Sequence, residues 1–189
     1  MAPYRLILMA LPPDPVRVAA EAAVSQQGLD AVMGDARFPA RNWHQSLSNR
    51  HPYSSELHGA MLRAGARVLA APVTMLFNRI GGHSGSAQDI HWALRARGNP
   101  KGFTELCAAV RDALRSEGIP EESGHQPHVT ICYRAPRSLP SVFIKPIQWT
   151  IDEIALVCGG GAPYRYEVLG RWPLVRDPAE PVVSQMRLF

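Results

Sequence analysis

The sequence predicts an α+β fold of two pseudo-symmetric lobes, each an antiparallel sheet with flanking helices, meeting at a central cleft. Three observations carry this expectation. Apolar residues switch repeatedly between helical spacing and strand alternation. Gly and Pro cut the pattern into short pieces joined by hairpins. A short pattern of His, spacer, small hydroxyl residue and aliphatic occurs twice, each time after a strand–helix unit: His44-Gln45-Ser46-Leu47 and His128-Val129-Thr130-Ile131. Runs of helix then strand in this order suit two similar lobes packed side by side.

Taken in order, Tyr4 to Ala10 is a continuous apolar run and reads as a buried strand. Pro12-Pro13 ends it. Asp14 can cap a helix and Pro15 fits its first position. Val16, Ala20, Ala23 and Val24 continue that helix to a stop at Gly28. Asp30 to Arg41 lacks a period and reads as a loop. Trp43 to Leu47 is the first motif strand, and Asn49 to Tyr53 a turn. Ser54 or Ser55 caps a second helix with Leu57, Met61, Ala64 and Val68 on one stripe. Val73 to Asn78 alternates as a strand, and Gly81 to Ser86 reads as a flexible loop. Ile90, Trp92 and Leu94 mark another strand. Phe103, Leu106, Val110 and Leu114 mark a third helix, ended by Gly118. His128 to Tyr133 is the second motif strand and Pro136 to Pro140 a loop. Ile147 to Ile151 and Ile154 to Cys158 are strands, Gly159-Gly160-Gly161 a turn, and Tyr164 to Trp172 a closing strand. Residues 1–174 are expected to form one bilobal domain and 175–189 a loose tail.

Composition bounds the class. The 189 residues are 46% hydrophobic and 19% charged, which excludes a disordered chain and permits a core without disulfides. The formal charge of +4, on scattered Lys and Arg, mildly favours an anionic partner such as RNA or a nucleotide. Cys107, Cys132 and Cys158 have no metal spacing and read as reduced core thiols. The absence of a basic-then-apolar leader or a span of about 20 apolar residues argues for a cytoplasmic protein without membrane contact. A monomer is expected.

Residues two apart on a strand share a face. Each motif therefore presents an imidazole beside a hydroxyl, and two such pairs around one pocket suit acid–base chemistry on a phosphate. One histidine would act neutral and the other protonated. Ser46 and Thr130 would donate to the non-bridging oxygens as negative charge builds there. No metal or other cofactor is required. Arg134 and Arg41 lie nearest the motifs in sequence and are candidate phosphate-binding cations. Trp43 and Tyr133 have odd spacing from the motif histidines, so alternation turns them into the core. His125 with His128 lacks a neighbouring carboxylate or Cys at ligand spacing, which argues against a metal site. His51, His58, His83 and His91 read as surface or supporting residues. Gly81 to Ser86 is neither a P-loop nor a nucleophile elbow.

With these residues in place, the chain resembles the 2H phosphoesterase superfamily. More narrowly it resembles the LigT-like RNA 2′,3′-cyclic phosphodiesterases, also called 2′-5′ RNA ligases. The resemblance runs from Ala10-Leu11-Pro12-Pro13 through both motifs, with Pro127 before the second. It continues to Tyr164-Arg165-Tyr166-Glu167-Val168-Leu169 and Trp172-Pro173-Leu174, spanning roughly residues 4–174. Ser46 stands where the family more often has Thr. The resemblance implies a phosphodiesterase for RNA ends carrying a 2′,3′-cyclic phosphate or a 2′-5′ linkage, with His44 as proton donor and His128 as proton acceptor. It leaves open a small cyclic nucleotide as substrate. The residues also leave open an RNA- or nucleotide-binding module with little catalysis.

Overall fold

The computed structural model describes residues 2–82, 90–122, 124–162 and 164–175. Two antiparallel sheets form the architecture, as the α+β reading expects. Strand β1 (Ala2–Ala10) leads into helix α1 (Asp14–Gln26), a short α2 (Leu29–Met33), and β2 (Gln45–Ser46). Then come β3 (His51–Pro52), α3 (Ser55–Arg67), β4 (Val73–Gly82), β5 (Trp92–Ala96) and α4 (Lys101–Ser116). Strands β6 (His128–Cys132), β7 (Leu139–Ile151), β8 (Glu153–Gly161) and β9 (Arg165–Pro173) complete the chain.

The first sheet has the order β2-β1-β8-β9, with β3 also on β1; the second has the order β6-β5-β4-β7. The lobes are thus interleaved rather than sequential. Strand β4, expected with the first lobe, pairs with β5 and β7 of the second sheet, while β8 and β9 return to flank β1. Helix α1 packs against β7 of the second sheet, and α3 against β8 and β9 of the first. One contiguous core runs through both lobes, from Leu6 and Leu8 to Phe77, Trp92, Phe103 and Trp149. A small separate cluster of Ile7, Met9, Ala155 and Val157, with Leu11 and Tyr166 against it, covers the opposite face of the first sheet.

Several local expectations change. Pro13, not Asp14, caps α1, and Asp14 pairs instead with Arg17 one turn on. Asp30 to Arg41 is largely built from α2 and two single 3-10 turns, pinned where Arg37 meets Asp30 and Glu21. Ser54 caps α3, its hydroxyl accepting the Leu57 N–H at 3.1 Å. Gly81 and Gly82 belong to β4, and His83 to Ser86 lie outside the described residues, as do 176–189 of the expected tail. The segment expected as a loop at Pro136 to Pro140 already enters β7 at Leu139.

Gly159 and Gly160 are strand rather than turn, with aromatic rings lying on them, while Gly161, at φ 85°, closes β8 and leads into a turn at Ala162. A Cβ on Gly159 would come within 2.3 Å of the Tyr164 hydroxyl, and one on Gly160 within 2.5 Å of the Tyr4 ring. All three cysteines are free and buried; burial pushes Cys107 up to about 12 and Cys132 to about 11.

Candidate active site

His44 directly precedes β2, and His128 opens β6. Each ring is held the same way. The Nδ1–H of His44 donates to the Asn42 carbonyl at 2.8 Å, and that of His128 to the Gln126 carbonyl at 2.8 Å. A carbonyl only accepts, so both Nδ1 atoms carry the proton and both Nε2 atoms keep a lone pair in the neutral ring. Neither Nε2 has a hydrogen-bond partner among the described residues. The same carbonyl two residues upstream thus serves each histidine, which extends the repetition from sequence into geometry.

Gln45 ties the two motifs together. It is fully buried. Its Oε1 accepts the His128 backbone N–H at 2.7 Å, and its Nε2 donates to the carbonyls of Ser46 at 2.9 Å and Gln126 at 3.2 Å. The residue read as a spacer is the strut between the lobes. His44 and His128 are near enough for their charges to oppose one another. Ser46 is half-buried and Thr130 buried, and neither hydroxyl has a hydrogen-bond partner among the described residues.

Burial sets the electrostatics. It lowers His44 to about 4, with the Arg50 and His128 charges adding to the shift and the Asn42 hydrogen bond opposing it. Burial also lowers His128, reinforced by the nearby Arg95, His125 and His91. Both rings are therefore neutral at pH 7 when no anion is bound.

Arg41 and Arg134 are exposed, and neither makes a hydrogen bond or ion pair among the described residues. Arg134 sits at φ 53°. The cation brought to His44 is Arg50, whose Nη2 donates to the Tyr133 hydroxyl at 3.1 Å. Strand β2 ends at Ser46, so alternation from the motif does not reach Arg50, and no local pattern marked it.

Trp43 is in the core as expected, its indole N–H on the Phe38 carbonyl at 2.9 Å. Tyr133 is not. Cys132 pairs with Trp92 but Thr130 with Ala93, so Ile131 is an extra residue in β6. That bulge breaks the alternation that would turn Tyr133 inward. The half-buried Tyr133 ring meets Phe38 at 4.9 Å and His91 at 4.7 Å. Phe38 and Tyr166 both stand edge-on to His44, at 6.4 and 5.3 Å.

On the His128 side, a pocket of about 310 Å³ is lined by His91, Arg95, His125, Gln126, His128 and Thr130 among others. A carboxylate does approach His125: buried Glu121 lies 3.9 Å from its Nε2 and 3.3 Å from the His51 Nε2. It also accepts the Asn49 N–H with both oxygens. No three metal-ligating side chains are gathered among the described residues. No described helix is long and apolar enough to cross a membrane.

No family model and no curated protein matches the sequence. Solved structures do match. Escherichia coli LigT complexed with 3′-AMP superimposes with a TM-score of 0.75 at 21% identity, over 92% of this chain and 99% of that one. The chain has the LigT fold. A second structure described as a phosphoesterase gives a TM-score of 0.74 at 21% identity, covering 92% and 99%. The protein TT0787 of Thermus thermophilus gives 0.70 at 22%, covering 90% and 97%. LigT has also been solved with ATP, NADP+ and phosphate. At 92% of this chain, the likeness to LigT takes in both sheets.

Proposed function

We propose that this chain is a LigT-like 2H phosphoesterase that opens 2′,3′-cyclic phosphate ends of RNA without a metal. The observation that carries the reading is the matched pair of histidines. Each is locked by Nδ1–H to a carbonyl two residues back, leaves Nε2 unpartnered among the described residues, and has an unpartnered hydroxyl two residues on.

Water attacks phosphorus as His128 Nε2 accepts its proton. The bond from phosphorus to one ribose oxygen breaks, and His44 Nε2–H protonates that oxygen. The product is a phosphomonoester and a free hydroxyl, and the proton on His128 returns to solvent. The Ser46 and Thr130 hydroxyls donate to the non-bridging oxygens, and Arg50 supplies positive charge near His44. His44 must be protonated to play this role, and burial opposes that in the free protein. The anionic phosphate favours the charged ring, so substrate brings the proton-competent state with it. With a 5′-hydroxyl in place of water, the same groups would open the ring onto that hydroxyl: its proton goes to His128, the bond from phosphorus to the 3′-oxygen breaks as His44 protonates that oxygen, and a 2′-5′ linkage forms.

The test is turnover of a dinucleotide ending in a 2′,3′-cyclic phosphate, in EDTA, followed by ³¹P NMR. The expected result is a monoester product, with His44→Ala and His128→Ala each reducing the rate by about 10²–10⁴ while remaining folded. Full activity in either variant, or dependence on added metal, overturns the reading. Salt-sensitive binding without turnover would instead make the chain a nucleotide-binding module.

A further inference from the structure

The register of the second sheet places four residues directly opposite one another on successive strands. His128 of β6 faces Arg95 of β5, Arg95 faces Arg79 of β4, and Arg79 faces Phe143 of β7. Directly opposite residues point to the same face of a sheet. The row therefore lies on the face that carries His128, and Arg95 lines the His128 pocket. Neither guanidinium makes an ion pair or hydrogen bond among the described residues. The Arg79 Nε is shielded from water yet has no partner there. Like charges directly opposite on neighbouring strands are destabilising, and no described carboxylate offsets this pair. Phe143, at the outer end on the edge strand, is 74% exposed.

We infer that this row is a track for a single-stranded oligonucleotide. Its reacting end sits at His128, its next phosphates lie on Arg95 and Arg79, and a base stacks on Phe143. The row crosses three strand intervals, about 14 Å, so a ligand that meets both ends carries more than one nucleotide. Backbone cations with an aromatic platform are the usual means of holding a single strand without reading its sequence. The inference rests on the proposed phosphodiesterase activity and narrows its substrate class to a strand rather than a mononucleotide.

The experiment compares kcat/KM for a 2′,3′-cyclic mononucleotide and for an oligonucleotide ending in the same cyclic phosphate. The wild type is expected to favour the oligonucleotide. Arg79→Gln and Phe143→Ala should each cut that preference by about tenfold. Arg79→Gln should also reduce the slope of log affinity against log salt by about 0.7. Equal turnover of both substrates by the wild type, or an equal effect of the variants on both, overturns the track. If neither substrate is turned over, the proposed activity fails. The track is then read by fluorescence anisotropy of the labelled oligonucleotide. Salt-dependent binding weakened by Arg79→Gln supports it, and binding indifferent to both variants overturns it.

Discussion

His44 and His128 show how far a residue pattern reaches. The two pairs of imidazole and hydroxyl were legible as candidates because strand alternation is a local rule. What fixes each ring was not, since the carbonyls of Asn42 and Gln126 carry no side-chain signature. Gln45 was illegible for a different reason: its partners lie 81 and 83 residues away. Replacing it with Leu keeps the volume but orphans the His128 N–H. The expected cost is about 1–3 kcal/mol in urea unfolding, with a fall in kcat as His128 loses its anchor. The lowered pKa values predict the pH response. The free protein carries base and acid that both titrate below 6.5, so kcat/KM should peak on the acid side of that value. The kcat profile should move upward, because bound phosphate favours the charged rings. Stability follows the same sign. A buried His44 with a folded value of about 4 against 6.5 unfolded contributes fully above pH 6.5, and its contribution is lost as pH falls towards 4. The loss is about 3 kcal/mol. His44→Gln should flatten that part of the stability–pH curve measured by urea titration.

At the scale of elements, periodicity located the long apolar strands and three main helices, and it failed where two elements press together. Gly159 to Gly161 looked like a turn because glycine is the usual turn residue. In the fold Gly159 and Gly160 are strand beneath Tyr4, Tyr164 and Tyr166, a contact no local rule encodes, while Gly161 keeps the positive φ of a turn glycine. The bulge at Ile131 is similar: it re-aims Tyr133 to Phe38, His91 and Arg50, and only the pairing partner reveals it. Helix α3 offers a controlled test of this idea, since it carries two interior glycines. A Cβ at Gly65 would sit 2.4 Å from the Trp172 ring of β9, whereas one at Gly59 would meet only the end of Arg63 at 3.6 Å. Gly59→Ala should stabilise by about 0.5–1 kcal/mol through helix propensity and the unfolded chain. Gly65→Ala has the same propensity gain but must push β9 off the helix, and overpacking of this kind costs about 1–3 kcal/mol. Urea midpoints should therefore move in opposite directions for the two substitutions, and movement in the same direction would refute the account of Gly65.

At the scale of the whole molecule, two lobes were legible from the order of elements, but their membership was not. Sheet pairing joins residues far apart in sequence, and β1 meets β8 across most of the chain. The consequence is mechanical. Because β8 and β9 complete the sheet begun by β1, and α1 from the first half packs on β7 of the second sheet, neither lobe contains its own closed core. The contiguous cluster from Leu6 to Trp149 has no seam at which one half could unfold alone. Gln45 adds a polar tie across the same junction. Residues 1–174 should therefore behave as one cooperative unit despite the two-lobed shape. Trp92 and Trp149 report on the second sheet, and Trp172 on β9 of the first. Urea unfolding followed by fluorescence of variants that keep one of these tryptophans at a time should give the same midpoint from each sheet, coincident with far-UV circular dichroism. Two separated transitions would show that the lobes are independent domains, and the strut through Gln45 would then be a contact between domains rather than part of a single fold.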